Sequence, residues 1–174
     1  DAATFIMTVS GTFTLQSGST FKQGGATTGV PGLIRSFDVN STYIYYGGQT
    51  SITGIGAGAF GNLTWSSSGT ATPSVLLTIS GNLTLLGSGQ FRASTGATAR
   101  THSVAGNVII DGAAAILVGT NATLAPNNGT WNIAGNVTLQ NGGRLWGNNM
   151  GSGAEGTFNI AGNIINNGAV EHGT

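Results

Sequence analysis

Five carboxylates and two histidines are all that the chain offers for acid–base chemistry: Asp1, Asp38, Asp111, Glu155 and Glu171, with His102 and His172. Glycoside hydrolysis needs two carboxylates facing one bond across a set gap. A calcium-assisted lyase needs several carboxylates around one ion, with a basic residue beside them. The spacing of the five assembles neither arrangement. Asp111 precedes Gly112, a pairing that turn geometry favours without any catalytic reason. Glu155 stands in the Gly-rich stretch Gly151-Ser152-Gly153-Ala154-Glu155-Gly156, and Glu171 beside the last residues. His102 occupies the same aligned position as Trp131 and Phe158, so it is expected to stack among rings. A metal takes at least three converging ligands, and His172 stands alone. Cysteine is absent, which removes disulfides and thiolate sites. The reading is therefore a non-enzyme with no catalytic residue, no metal site and no cofactor.

Glycan recognition has better material, because sugars stack on exposed aromatic faces. Trp146 follows the inward-reading Leu145, so strand alternation points it outward near Arg144. Tyr43, Tyr45 and Tyr46 cluster, and at least one of them must face out. Trp146, Arg144, Tyr43 and Tyr45 are the candidate glycan contacts, against the plainer reading that they pack beneath a loop. Several Asn-X-Thr triplets, such as Asn82-Leu83-Thr84, match the N-glycosylation pattern, but an Asn- and Thr-rich repeat generates such matches by composition. The outward Thr14, Thr64, Thr84 and Thr138 share an aligned position that resembles a flat ice-binding array. Ile109 and Ile165 interrupt it and the repeat length varies, which counts against that reading.

The elements that must position these residues are repeats. Gly61-Asn62, Gly81-Asn82, Gly106-Asn107, Gly135-Asn136 and Gly162-Asn163 recur at separations of 20, 25, 29 and 27 residues, with Gly11-Thr12 read as the start of the series. Recurrence on this scale marks stacked units. Around each pair the apolar residues alternate, as in Ile79-Ser80-Gly81-Asn82-Leu83-Thr84-Leu85, and period two is the mark of a strand. A turn follows each time, at Gly87-Ser88-Gly89, Asp111-Gly112, Asn141-Gly142 and Asn167-Gly168. One apolar anchor comes next: Phe91, Ile116, Leu145 and Val170, with Phe21 as the equivalent in the first copy. No apolar series at helical spacing persists, and Gly, Asn, Thr and Ser are poor helix formers.

These features predict an all-β, right-handed parallel β-helix of about six to seven coils, a single domain over residues 1–174. Coils stacked at about 4.8 Å would give roughly 30 Å of structure. Leu63, Leu83, Val108, Val137 and Ile164 should form an interior aliphatic stack. Asn62, Asn82, Asn107, Asn136 and Asn163 should form a ladder whose amides hydrogen-bond from coil to coil. The preceding glycines should let the backbone bend without a Cβ clash. Residues 24–32 read as an inserted loop.

Composition narrows the partners. Only 6% of residues are charged, against roughly 25% in a typical soluble domain. Five scattered Lys and Arg cannot make the basic stripe that nucleic acid or an anionic membrane surface requires. With 39% hydrophobic residues and zero net charge, the chain departs from the disordered profile. No apolar run reaches the ~20 residues of a membrane helix.

From Phe37 to Val170 the chain resembles a known group. The run Phe37-Asp38-Val39-Asn40-Ser41-Thr42-Tyr43-Ile44-Tyr45-Tyr46-Gly47-Gly48-Gln49, followed by the Gly–Asn–Val/Leu–Thr copies, looks like the repetitive β-solenoid regions of large secreted adhesin-like surface proteins of Bacteroidetes-type bacteria. A more distant likeness is to filamentous-haemagglutinin and autotransporter β-helices. The resemblance implies export by the type IX route, an extracellular or cell-surface location, and a piece of a longer repetitive protein. It implies a non-catalytic structural or adhesive role, with a carbohydrate-binding or carbohydrate-degrading β-helix and a self-assembling fibre subunit as alternatives. Partners would then be neighbouring coils of the same protein, surface glycans or further copies of the chain, with no nucleic acid and no membrane insertion.

Overall fold

The computed structural model describes residues 9–24, 34–47, 59–73, 76–94, 98–113, 115–120, 128–148 and 154–171. Within them every element is a strand. The first winding supplies β1 (Thr12–Leu15) and β2 (Thr20–Gln23), and the second β3 (Ile34–Phe37) and β4 (Thr42–Gly47). The third supplies β5 (Ala59–Phe60) and β6 (Asn62–Ser67), with Ala71 bridging onward to Phe91. Next come β7 (Thr78–Ile79), β8 (Leu83–Leu85) and β9 (Gln90–Ser94), then β10 (Arg100–Val104), β11 (Val108–Asp111) and β12 (Ile116–Thr120). The last two windings are β13 (Gly129–Ile133), β14 (Val137–Gln140) and β15 (Arg144–Asn148), and β16 (Gly156–Ile160), β17 (Ile164–Asn166) and β18 (Ala169–Glu171).

Each strand pairs in parallel with its counterpart one winding away, and the result is a β-solenoid. A five-stranded sheet runs β16-β13-β10-β7-β5, a seven-stranded sheet β17-β14-β11-β8-β6-β4-β2, and a four-stranded sheet β18-β15-β12-β9. β1 and β3 pair separately. About five turns carry all three faces, fewer than the six to seven expected, because the described parts of the first two windings supply only two.

Alternation sorts residues inward and outward. On the seven-stranded sheet Leu63, Leu83, Val108 and Val137 lie in one register column and are fully buried. Burying such a side chain is worth roughly 1.5–3 kcal/mol, the gain that offsets ordering a Gly-rich chain. Ile164 extends that column but is 47% exposed, since β17 is the outermost strand. Register also corrects three alignments. Phe21 pairs with Tyr43 and so shares the column of Leu63, not that of Phe91. Leu117, not Ile116, stands between Phe91 and Leu145 as the anchor. Gly11-Thr12 leads into β1 on a different face from the Gly–Asn pairs, which takes Thr14 out of the Thr64 column.

The Gly–Asn pair works as one unit between windings. Asn62 Oδ1 accepts the main-chain N–H of Asn82 at 2.9 Å, and Asn82, Asn107 and Asn136 each do the same for the next asparagine at 2.8 Å. The ladder therefore runs from side-chain oxygen to backbone, where an amide-to-amide ladder was expected. The glycine leaves room for it. A Cβ on Gly106 would lie 2.5 Å from both Asn82 Oδ1 and the Gly81 carbonyl oxygen. Its role is close approach and not bending, since among the described residues the left-handed glycines are Gly18, Gly47, Gly112 and Gly142.

Candidate functional site

The four candidate glycan contacts divide sharply. Tyr43 and Tyr45 point inward from β4 and are 1% and 0% exposed. The Tyr43 hydroxyl donates to Gln23 Oε1, and burial pushes both phenols above their ordinary range. They belong to a run of ring contacts through Phe21, Tyr43, Tyr45, Trp65 and Phe91. No ligand can reach them, so the expectation that they contact a glycan is corrected. The outward member of the cluster is Tyr46, at 48% exposure. The Tyr45 hydroxyl and Trp65 Nε1 are buried without a hydrogen-bond partner.

Trp146 and Arg144 lie on the four-stranded sheet, where two outward columns follow from the register. One is Gln90, Ile116, Arg144 and Ala169; the other is Arg92, Val118, Trp146 and Glu171. Ile116 and Val118 are buried despite their outward columns. The buried β12 thus divides this face into two partly exposed ends, Gln90 and Arg92 on β9 and the last two strands, where half-buried Trp146 sits among partly exposed neighbours. Arg144 Nε approaches Glu171 Oε1 at 3.9 Å, a loose and solvent-screened pair. Farther along, Gln90 Oε1 accepts from Arg92 Nε at 2.9 Å and from Nη2 at 2.6 Å. Burial lowers the pKa of that guanidinium. The geometry offers an indole beside a cation and a carboxylate, which can stack on a sugar and bond its hydroxyls.

Asp38 and Asp111 have local work. Asp38 Oδ1 accepts the Asn40 N–H at 2.8 Å, an Asx turn. Asp111 accepts from Asn141 Nδ2 at 2.6 Å and Gln140 Nε2 at 2.9 Å, and these bonds, Asn141 first, lower its pKa. Asp38, Asp111, Glu155 and Glu171 fall on different faces or windings. Among the described residues no three His, Asp or Glu side chains come together; Asp1 and His172 lie outside them.

His102 is fully buried. Its Nδ1 accepts the Leu77 N–H at 2.9 Å, which leaves Nε2 to carry the proton toward the Ala93 carbonyl oxygen, 2.7 Å away. Its ring lies 4.8 Å from that of Trp131. Burial, aided by the charge of Arg100, pushes its pKa down to about 4 against the opposing Ala93 bond. This is a neutral ring holding the main chain.

An open trough of about 430 Å³ crosses the five-stranded sheet, with Thr78, Ser103, Asn132 and Asn159 along one column and Ala105, Ala134 and Ala161 beside it. No charged side chain lines it.

Comparison with protein families, with curated proteins and with solved structures finds no match. No helix among the described residues is long and apolar enough to cross a membrane.

Proposed function

We propose that this chain is a non-catalytic structural and adhesive module of a secreted bacterial surface protein, with the Trp146 end of its four-stranded sheet as the glycan contact. One observation carries the reading. Trp146 stands partly exposed in a column that ends in Glu171 and beside one containing Arg144, on a stack of parallel strands. Catalysis is disfavoured because the described carboxylates are dispersed and Asp38, Asp111 and Glu171 already have local partners. The resemblance to adhesin-like solenoids supplies the extracellular setting.

The test is a glycan array probed with the purified chain and with Trp146→Ala, alongside incubation with the bound polysaccharide. Binding should fall about five- to thirtyfold in the variant, since an aromatic contact to a sugar ring contributes on the order of 1–2 kcal/mol. No new reducing or unsaturated ends should form. Undiminished binding by the variant, or release of cleaved sugar by the wild-type chain, would defeat the proposal.

A further inference from the structure

The outward face of the seven-stranded sheet carries an order that the repeat lengths conceal. Residues Ile44, Thr64, Thr84, Ile109, Thr138 and Ile165 form one unbroken register column across β4, β6, β8, β11, β14 and β17. Every member is β-branched. The varying separation of the Gly–Asn pairs is taken up between strands and leaves the column undisturbed. Two residues earlier on each winding stands the asparagine ladder, with Thr42 in its place before Ile44, so the two columns make a rectangular net of about 4.8 Å by about 6.7 Å.

Both columns are held rigidly. Ile and Thr have few rotamers on a strand. Asn82, Asn107 and Asn136 spend Oδ1 on the next winding, which pins each amide at the same repeat. From β4 to β17 neither column carries a charge or an aromatic ring; Lys22 on β2 continues the Ile44 column and bounds the uncharged net at that end. Sugars favour aromatic platforms, so this net is poorly made for a glycan. It is well made for water. Methyl groups restrict the orientation of the first water layer, while hydroxyls and pinned amides anchor it at fixed points.

We propose that this face binds ice. Ice is an uncharged lattice of donors and acceptors that repeats on the same scale in two directions, and a matching net of methyls and donors would hold a water layer that merges with it. The isoleucines, which break a pure threonine reading of the sequence, keep the branched methyl and the register and so preserve the net. The inference is independent of the glycan reading, because it uses a different face.

The test is inhibition of ice recrystallisation, with thermal hysteresis as a second readout, on the whole chain. The wild-type chain should keep ice grains small. Thr84→Lys and Thr138→Lys each plant a long charged side chain in the net. Both should lose most of that activity while circular dichroism and melting temperature stay within error of wild type. Thr130→Lys, outward on the five-stranded sheet, and Trp146→Ala should retain it. A folded wild-type chain without activity overturns the proposal, as does full activity in both net variants. Loss in Thr130→Lys alone would also overturn it by placing the activity on another face. So would binding of this face to an insoluble neutral polysaccharide without any effect on ice.

Discussion

At Gly106 one methyl group is the difference between a ladder that closes and one that does not. The Gly106 N–H donates to the Gly81 carbonyl at 2.9 Å while Asn82 Oδ1 reaches past it to the Asn107 N–H. An alanine there must push against both oxygens, and Gly106→Ala is expected to cost about 3 kcal/mol, the upper end of overpacking penalties. Asn82→Ala alone loses one exposed hydrogen bond, about 1 kcal/mol. The two should couple, because removing the Asn82 side chain relieves part of the clash. Urea denaturation of both single variants and the double variant checks this, and strict additivity would show that Gly and Asn act separately. His102 makes the other residue-scale prediction. Its pKa is near 4 folded and near 6.5 unfolded, so the unfolded chain binds more protons between those values. Stability is then full above about pH 6.5 and falls as pH drops toward 4, by about 3 kcal/mol. Asp111, whose pKa is also lowered, adds acid sensitivity only in the lower carboxylate range. In denaturation measured at pH 7.5, 5.5 and 4.5, His102→Gln should flatten the decline over that window. A slope unchanged by the substitution would mean that the imidazole is not what acid attacks.

At the scale of the strand, sequence legibility follows from how local each cause is. Inside and outside alternate along a solenoid wall, so Leu83-Thr84-Leu85 and Val137-Thr138-Leu139 announce their buried face by period two alone. The Gly–Asn pair is equally legible, because its glycine and its amide serve one contact. Tyr43-Ile44-Tyr45-Tyr46 is different. Apolar residues occupy both parities, and nothing within the strand says whether the tyrosines or the Ile44 side face the core. The deciding fact is the pairing of Thr42 with Asn62, which puts Tyr43 over Leu63 and Tyr45 over Trp65. Aligning Thr42 with the ladder would have revealed it. Ile116-Leu117-Val118 hides its anchor for the same reason, and only the neighbours Phe91 and Leu145 identify Leu117. Trp146 was readable because Leu145 and Gly147 flank it, leaving one plausible inward residue. Its accessible surroundings were not, since the burial of Ile116 and Val118 depends on packing that alternation does not encode.

At the scale of the molecule, each winding rests on its neighbours, so stability should vary along the axis instead of belonging to the whole. The middle windings are sealed: Leu83, Leu85, Val108, Ile110, Val137 and Leu139 are all fully buried. Toward β1 the stack is tied by rings, with Phe13 and Phe21 5.0 Å apart and Phe21 leading to Tyr43 at 5.2 Å. Toward β18 it is tied by much less. Ile164 and Val170 continue inward columns yet are 47% and 53% exposed, so the last winding has apolar contacts on one side only. Local opening free energies fall where buried apolar contacts are few. Native-state amide exchange of this chain should therefore be slowest in β8, β11 and β14 and should rise by orders of magnitude through β16–β18. The first windings, packed on aromatic rings, should exchange more slowly than the last. Because inward packing and not hydrogen bonding sets this gradient, Val170→Ala should change little, whereas Leu145→Ala, one winding inward and 3% exposed, should cost about 2–5 kcal/mol. Leu145→Ala should also release β18 first. Equal exchange rates from β8 to β17 would mean that the turns unfold together, and that a solenoid of this length behaves as one cooperative block.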